Sequence, residues 1–521
     1  MLAVTIISFL SLIQAQDQGK EPGKHNPLVP ALAATVYTCH LWQLENHMRP
    51  LEILIPCILA IYLLWPLISG KSRSGLANYL PLAALLATIL HLLLEKYRWE
   101  MVPIYLLVAV CSVTGVLGLK QARQDRFKRF SLRGLGLVTS LLVLLAATAL
   151  PILLPVPTVP APTGKYQVGT TTLVLVDESR KEIYSSNPND PRKFMVQIWY
   201  PARVTTDSIR APWMPNAQIV APAMADYLGL PHFFLDQLAL VKTSSYLNAA
   251  PDGSGGPYPV LLFSHGWNGF RAQNTDQVQE LVSHGYVVAS IEYTYADRVS
   301  VFPDGTVIPN DPKILPKGAP TDIYNAAAQL LLDQWTGDLA YTLDQLTALN
   351  ANDPTGLFTG LLDLNHVGAF GHSTGGAATI QFCAEDPRCM AGFAMDAWMT
   401  PVSDQVLDNG TDRPMLFLFS QTFPTQTNWQ LFDRFAANLS GPVTVATIKG
   451  TSHYDFSDLP FLTPLAAKMG LKGPLNGKRV SQIINTFSLA FFDLELKGVQ
   501  ITILAGPSSD YPELVFRTLS R

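Results

Sequence analysis

One short stretch, Phe370-Gly371-His372-Ser373-Thr374-Gly375-Gly376, limits what this chain can fold into more than any other. The apolar run 367–370 suits the end of a buried strand, and the run 374–385 (TGGAATIQFCAE) suits the start of a helix. Ser373 then falls on a tight strand-to-helix turn. Glycines flank it because such a turn strains the backbone and brings helix and strand into close approach. The pattern G-x-S-x-G by itself is common, and its setting between strand and helix is what makes Ser373 a candidate nucleophile. The competing reading is a glycine-rich turn with a bystander serine.

The sequence around this turn alternates strand and helix. Residues 171–177 and 194–200 read as an opening antiparallel pair, separated by turn residues. Runs 258–263, 286–293, 391–395, 415–419 and 443–448 read as buried strands, and 274–284, 321–349, 428–438 and 480–496 as helices. That order predicts an α/β class, a mostly parallel sheet with helices on both faces, which is the α/β-hydrolase architecture. Two long connections, 203–256 and 294–320, interrupt it, and connections of that length usually cap or shape a binding site.

A serine hydroxyl is a poor nucleophile, so a base must take its proton and a third group must orient that base. In this architecture the chain order is serine, acid, histidine. His453 is the histidine that follows Ser373, in the small-residue loop Lys449-Gly450-Thr451-Ser452 after a strand. Asp396 is the favoured acid because it ends an apolar strand, at the sheet edge where open α/β sheets carry their sites. Asp404, Asp408, Asp455 and Asp458 are the alternatives, each in polar sequence that also suits a solvated carboxylate or a helix cap. For the developing oxyanion, the NH of Thr374 lies next to the nucleophile, and the NH of Trp267, in Ser264-His265-Gly266-Trp267, is the second expected donor. His265 and His372 read as residues that fix the oxyanion loop and the elbow, and His284 as a helix-terminal residue.

At 521 residues the chain is too long for one core, and composition divides it near Pro160. Residues 1–160 are dominated by apolar runs, and 161–521 have the mixed texture of a catalytic domain. Runs 51–68, 79–94, 101–119 and 134–154 predict about four transmembrane helices. Residues 1–15 suit a signal peptide, and 28–44 are a weaker additional span. Lys71 and Arg73, then Lys120, Arg123, Arg126, Lys128, Arg129 and Arg133, make two basic loops that the positive-inside rule assigns to the cytoplasm. Everything after the last run is therefore expected on the non-cytoplasmic side, lifted off the bilayer by the proline-rich segment 151–163. A net charge of −4 gives no reason to expect nucleic acid as a partner. Cys383 and Cys389 flank a turn and would close a disulfide in an oxidising compartment, while Cys39, Cys57 and Cys111 read as small buried hydrophobes. Asn409-Gly410-Thr411 and Asn438-Leu439-Ser440 are glycosylation sequons.

From about residue 166 to 498 the sequence resembles the plasma-type platelet-activating factor acetylhydrolases, serine-dependent and calcium-independent phospholipases. The pieces that carry the resemblance are Pro212-Trp213-Met214-Pro215-Asn216, Phe263-Ser264-His265-Gly266, Ser283-His284-Gly285, the elbow itself, Asp396-Ala397-Trp398-Met399 and Lys449-Gly450-Thr451-Ser452-His453. The elbow is shared by many esterases, whereas Asp-Ala-Trp-Met at this distance is more specific. The resemblance implies that Asp396 is the acid, that Trp267 and Thr374 supply the oxyanion donors, and that short or oxidised acyl chains are cleaved from phospholipids. Two residues depart from the family pattern, Thr374 in place of its usual Phe and Trp267 in place of a frequent Leu, and both bear on acyl preference. The residues alone imply ester hydrolysis without metal or cofactor. A general carboxylesterase and a hydrolase-like domain that only binds ligand are the alternative readings.

Overall fold

The computed structural model describes residues 48–69, 77–121 and 130–519. The stretches 1–15 and 28–44, Cys39, and the basic residues Lys71, Arg73, Arg123, Arg126, Lys128 and Arg129 lie outside them. The chain divides into two compact units, Met1–Pro157 and Thr158–Arg521.

The first unit is helical. Its described helices are α1 (Pro50–Ser69), α2 (Leu80–Leu90, continued by the π-turn His91–Glu95), α3 (Val102–Gln121) and α4 (Phe130–Leu153). Ile55, Leu59, Tyr62, Ala84, Ile104, Val108 and Leu144 pack as its core. Its outer surface is apolar as well, with Leu93, Leu94, Leu106, Val110, Val113, Leu142 and Leu145 exposed. Three segments, Ala77–Glu95, Trp99–Leu117 and Gly136–Leu153, have the length and composition to cross a membrane, whereas the apolar part of α1, Pro50–Pro66, is shorter.

The second unit is built on one sheet. Its elements are β1 (Gln167–Lys181), β2 (Pro191–Arg203), β3 (Arg210–Pro212), α5 (Ala217–Tyr227), β4 (Lys242–Leu247), β5 (Ala250–Pro251), β6 (Tyr258–Ser264), α6 (Thr275–Ser283), β7 (Val287–Glu292), β8 (Val299–Val301), β9 (Val307–Pro309), α7 (Thr321–Ala351), β10 (Leu362–His372), α8 (Thr374–Glu385), β11 (Cys389–Met395), α9 (Asp404–Asn409), β12 (Met415–Ser420), α10 (Gln426–Ala436), β13 (Val443–Ile448), α11 (Gly477–Lys497) and β14 (Leu514–Phe516). The sheet runs β14-β13-β12-β11-β10-β6-β7-β2-β1-β4-β3, and β5 pairs with β2. Neighbours from β13 through β7 are parallel, and β2 joins β7 antiparallel. Every residue of β6, β7 and β12 is buried, as expected of strands covered on both faces. This is the α/β-hydrolase fold read from the strand and helix order.

Topology decides where a site can lie. From β6 the chain goes first to β7 on one side and then, through α7, to β10 on the other. The carboxyl ends of β6 and β10 therefore flank a reversal of strand order, the crevice in which open α/β sheets bind ligands.

The long connections hold more structure than the sequence pattern suggests. Residues 203–256 contain α5, the 3-10 segment His232–Leu240 and strands β3 to β5. Pro222 inside α5 is a signal that ordinarily ends a helix, and strands of 2 and 3 residues carry no readable period. Residues 294–320 contain the small hairpin β8–β9.

Candidate active site

Ser373 stands between β10 and α8 with φ of 59° and ψ of −119°. A non-glycine residue pays for positive φ in strain, and the surrounding bonds hold it there. Ser373 NH donates to Met395 O at 3.0 Å, and Ser373 O accepts from Trp398 NH at 3.1 Å. Gly375 must lack a side chain, because a Cβ there would collide with the carbonyl of Ser264.

His453 lies beyond β13, on a loop tied down by its own polar side chains. Thr451 Oγ1 donates to Ile448 O at 2.6 Å, and Asp455 accepts from Ser452 NH at 2.8 Å. From this loop His453 Nε2 comes within 2.9 Å of Ser373 Oγ, and Nδ1 within 2.7 Å of Asp396 Oδ2. A carboxylate accepts only, so the imidazole proton belongs on Nδ1, which leaves the Nε2 lone pair facing the serine hydroxyl.

Asp396 follows β11 with φ of 47° and is fully buried. Burial pushes its carboxyl up from the usual range, and Ser420 opposes this by donating its NH and its hydroxyl, each at 2.8 Å. Burial also pushes the His453 imidazole down, so it is neutral and able to take a proton near pH 7. Phe423 stacks on the His453 ring, with centroids 3.7 Å apart.

The loop after β6 backs onto the serine, since a Cβ on Gly266 would lie 3.2 Å from Ser373 Cβ. Gly266 O accepts from His265 Nδ1 at 2.8 Å and from Gly269 NH at 2.9 Å. In a planar trans peptide the next NH, that of Trp267, points opposite to this carbonyl. Thr374 NH is the first of α8, where NH groups lack intrahelical acceptors and the helix dipole favours negative charge. His265 is buried and held neutral, its pKa pushed down to about 4 by desolvation.

The alternative acids sit elsewhere. Asp404 and Asp408 are exposed and pair with Arg434. Asp455 and Asp458 are buried rather than solvated. Asp458 Oδ2 accepts from Thr275 NH at 2.8 Å and from Trp213 Nε1 at 2.9 Å, so it caps α6. Ser420 and Phe423 had no sequence signal beyond lying at and after a strand end. Cys383 and Cys389 are joined across the turn from α8 to β11. Among the described residues one trio of ligating side chains gathers, Glu52, His91 and Glu95, in the first unit. Arg49 and Arg98 each already reach Glu52 Oε1 at 2.7 Å.

The arrangement at Ser373 is a hydroxyl, a neutral imidazole and a buried carboxylate in one hydrogen-bonded line, with the main-chain NH of Thr374 following the serine directly. Such a line can transfer an acyl group. Known proteins point the same way. Residues 154–301 and 344–500, more than half of the chain, match the family described as platelet-activating factor acetylhydrolase, isoform II. The platelet-activating factor acetylhydrolase of Cavia porcellus is 28% identical over 356 residues, which cover 64% of this chain and 77% of that protein. A protein of Arthroderma benhamiae named "Probable 1-alkyl-2-acetylglycerophosphocholine esterase" is 25% identical, covering 68% of this chain and 93% of its own length. Among solved structures, the ferulic acid esterase of Streptomyces cinnamoneus superposes with a TM-score of 0.58 at 26% identity, over 70% of this chain and 99% of the esterase. The chain belongs to the platelet-activating factor acetylhydrolase isoform II family, and it is a carboxylic ester hydrolase.

Proposed function

We propose that this chain is a membrane-anchored serine esterase that removes short or oxidised acyl chains from phospholipids. The observation that carries the reading is the line Ser373–His453–Asp396, at 2.9 and 2.7 Å. Ser373 Oγ attacks the ester carbonyl while His453 Nε2 takes its proton. Asp396 holds Nδ1–H and stabilises the imidazolium, and Trp267 and Thr374 NH groups face the oxyanion. The C–O bond of the tetrahedral intermediate breaks as Nε2 returns the proton to the leaving alcohol. Water then gives a proton to Nε2 and adds to the acyl carbon, and Ser373 leaves with that proton. The sum is ester plus water to acid plus alcohol.

Membership of the family and the names of the relatives support a phospholipid ester as substrate. Three helices of spanning length with leucine and valine side chains turned outward support anchoring in a bilayer. The basic sequence before the last of them supports a catalytic unit on the non-cytoplasmic side. The Thr374 hydroxyl is buried with no hydrogen-bond partner among the described residues, a polar atom next to the nucleophile where the family usually carries phenylalanine.

Fluorophosphonate labelling of the full chain tests the nucleophile, because label retained by Ser373→Ala rejects it. Turnover of acetyl and long-acyl phospholipids against nitrophenyl esters tests the substrate, and equal turnover of all three means a general carboxylesterase. Protease protection of the catalytic unit in sealed cells or vesicles tests its side.

A further inference from the structure

His372 is buried, 3% exposed, and the reaction above does not use it. Its Nε2 lies 2.9 Å from the main-chain carbonyl oxygen of His453. A carbonyl only accepts, so Nε2 carries the hydrogen and Nδ1 is left as an acceptor. Facing that acceptor is the Gln273 amide, with Nε2 at 3.1 Å. Burial pushes the His372 pKa down to about 3, so the ring is neutral near pH 7, and its two hydrogen-bond partners select this tautomer.

The partner of His372 is itself anchored. Gln273 O accepts from Asp458 NH at 2.9 Å, and Asn274 Nδ2 donates to Phe456 O at 2.8 Å. Residues 273–274 therefore hold the loop of His453 at residues 456 and 458 directly, and at residue 453 through His372. The imidazoles of His372 and His453 also pack together, with centroids 4.5 Å apart. His372 is covalently next to Ser373, so its bond to His453 O links the backbone at the nucleophile to the backbone of the base without passing through either reacting side chain.

We propose that His372 is a positioning residue for ester hydrolysis: its Nε2–H, oriented by Gln273, ties the main chain of His453 to the elbow and so fixes Nε2 of the base against Ser373 Oγ. This rests on the assignment of Ser373 and His453 as nucleophile and base. The ordinary alternative is a core histidine whose hydrogen bonds merely satisfy it, and the two differ in what a substitution changes. Loss of a positioning bond lowers kcat through geometry, since a displacement of about 1 Å costs about 100-fold. Loss of a core contact lowers the melting temperature.

The test uses the full chain in detergent, with nitrophenyl acetate turnover and thermal melting measured on His372→Phe, His372→Gln, Gln273→Met and Ser373→Ala. His372→Phe keeps a ring and loses the donor, and its kcat is expected to fall about 10- to 100-fold with KM little changed. His372→Gln presents an amide NH near the position of Nε2 and is expected to recover most of that loss. Gln273→Met leaves His372 in place without its orienting partner and is expected to lose about 3- to 10-fold in kcat. Wild-type kcat in His372→Phe, or a loss in His372→Gln as deep as in His372→Phe at an unchanged melting temperature, overturns the proposal. Should His372→Phe not fold, Gln273→Met decides, and wild-type kcat there overturns it. Ser373→Ala separates the two levels: turnover surviving in it removes the nucleophile assignment, whereas an inactive Ser373→Ala beside a fully active His372→Phe removes only the positioning role.

Discussion

The catalytic unit buries negative charge in two ways. Between the β1–β2 hairpin and α7, Asp338 is fully buried against two guanidinium groups, Arg192 Nη2 at 2.6 Å and Arg180 Nη2 at 2.7 Å. Arg192 also meets Glu182 at 2.5 Å, and Arg180 meets Asp177 at 2.6 Å. At the carboxyl edge of the sheet Asp396 is just as buried, but its partners are the hydroxyl and NH of Ser420 and a neutral imidazole. Two guanidinium groups hold the Asp338 carboxylate in structural ion pairs. Partial compensation by neutral donors leaves a carboxylate that gains when the imidazole beside it becomes positive, which happens only as the serine attacks.

If that contrast is right, substitutions in the two places fail differently. Ser373→Ala removes the proposed attacking atom, and kcat is expected to fall about 10⁴- to 10⁶-fold with the melting temperature unchanged. Asp396→Asn is expected to cost about 10⁴-fold in kcat, because an amide no longer holds the proton on Nδ1 of His453. Asp338→Asn is the counterpart. It removes the carboxylate shared by buried Arg192 and part-exposed Arg180, which keep Glu182 and Asp177, and about 3 kcal/mol of stability is expected to be lost, read by denaturant unfolding, while kcat of the folded fraction stays within about 2-fold of wild type. A large fall in kcat for folded Asp338→Asn would erase the distinction, as would a loss of stability in Asp396→Asn as large as that in Asp338→Asn.

What the sequence made legible follows the same division between local and distant. The elbow could be read because its glycines, its strand and its helix are contiguous, and β13 with the small-residue loop before His453 could be read for the same reason. Asp396 could be placed because an acidic residue directly after the apolar run of β11 has one natural position, the sheet edge. Asp458 could not be placed. It looks like one of several loop carboxylates, and its role as cap of α6 and acceptor from Trp213 joins residues 183 and 245 positions apart. Ser420 and the His372 bond to His453 O are hidden likewise, being contacts between strand ends that the sheet order brings together. Helix α5 is hidden in the sequence for a local reason, since Pro222 in its interior contradicts the element that contains it.

The smallest expected effect probes the contrast most finely. Ser420→Ala removes one of the two donors to Asp396 and keeps the main-chain NH, so the carboxylate remains but is less well solvated by the protein. The hydroxyl lowers the carboxyl pKa against the upward push of burial, so without it the pair Asp396–His453 takes up a proton more readily. The active form is the deprotonated pair, and the acid limb of kcat/KM should therefore move to higher pH while the alkaline side is unchanged. A fall of about 10-fold in kcat, roughly 1.4 kcal/mol, is expected above that limb. Ser420 Oγ also accepts from Phe423 NH at 3.0 Å, so part of this fall comes through the ring stacked on His453. Phe423→Leu isolates that part: it should lower kcat without moving the acid limb. An acid limb that stays in place in Ser420→Ala would mean that Asp396 is held by its backbone setting alone, and that the difference from Asp338 is one of position rather than of partners.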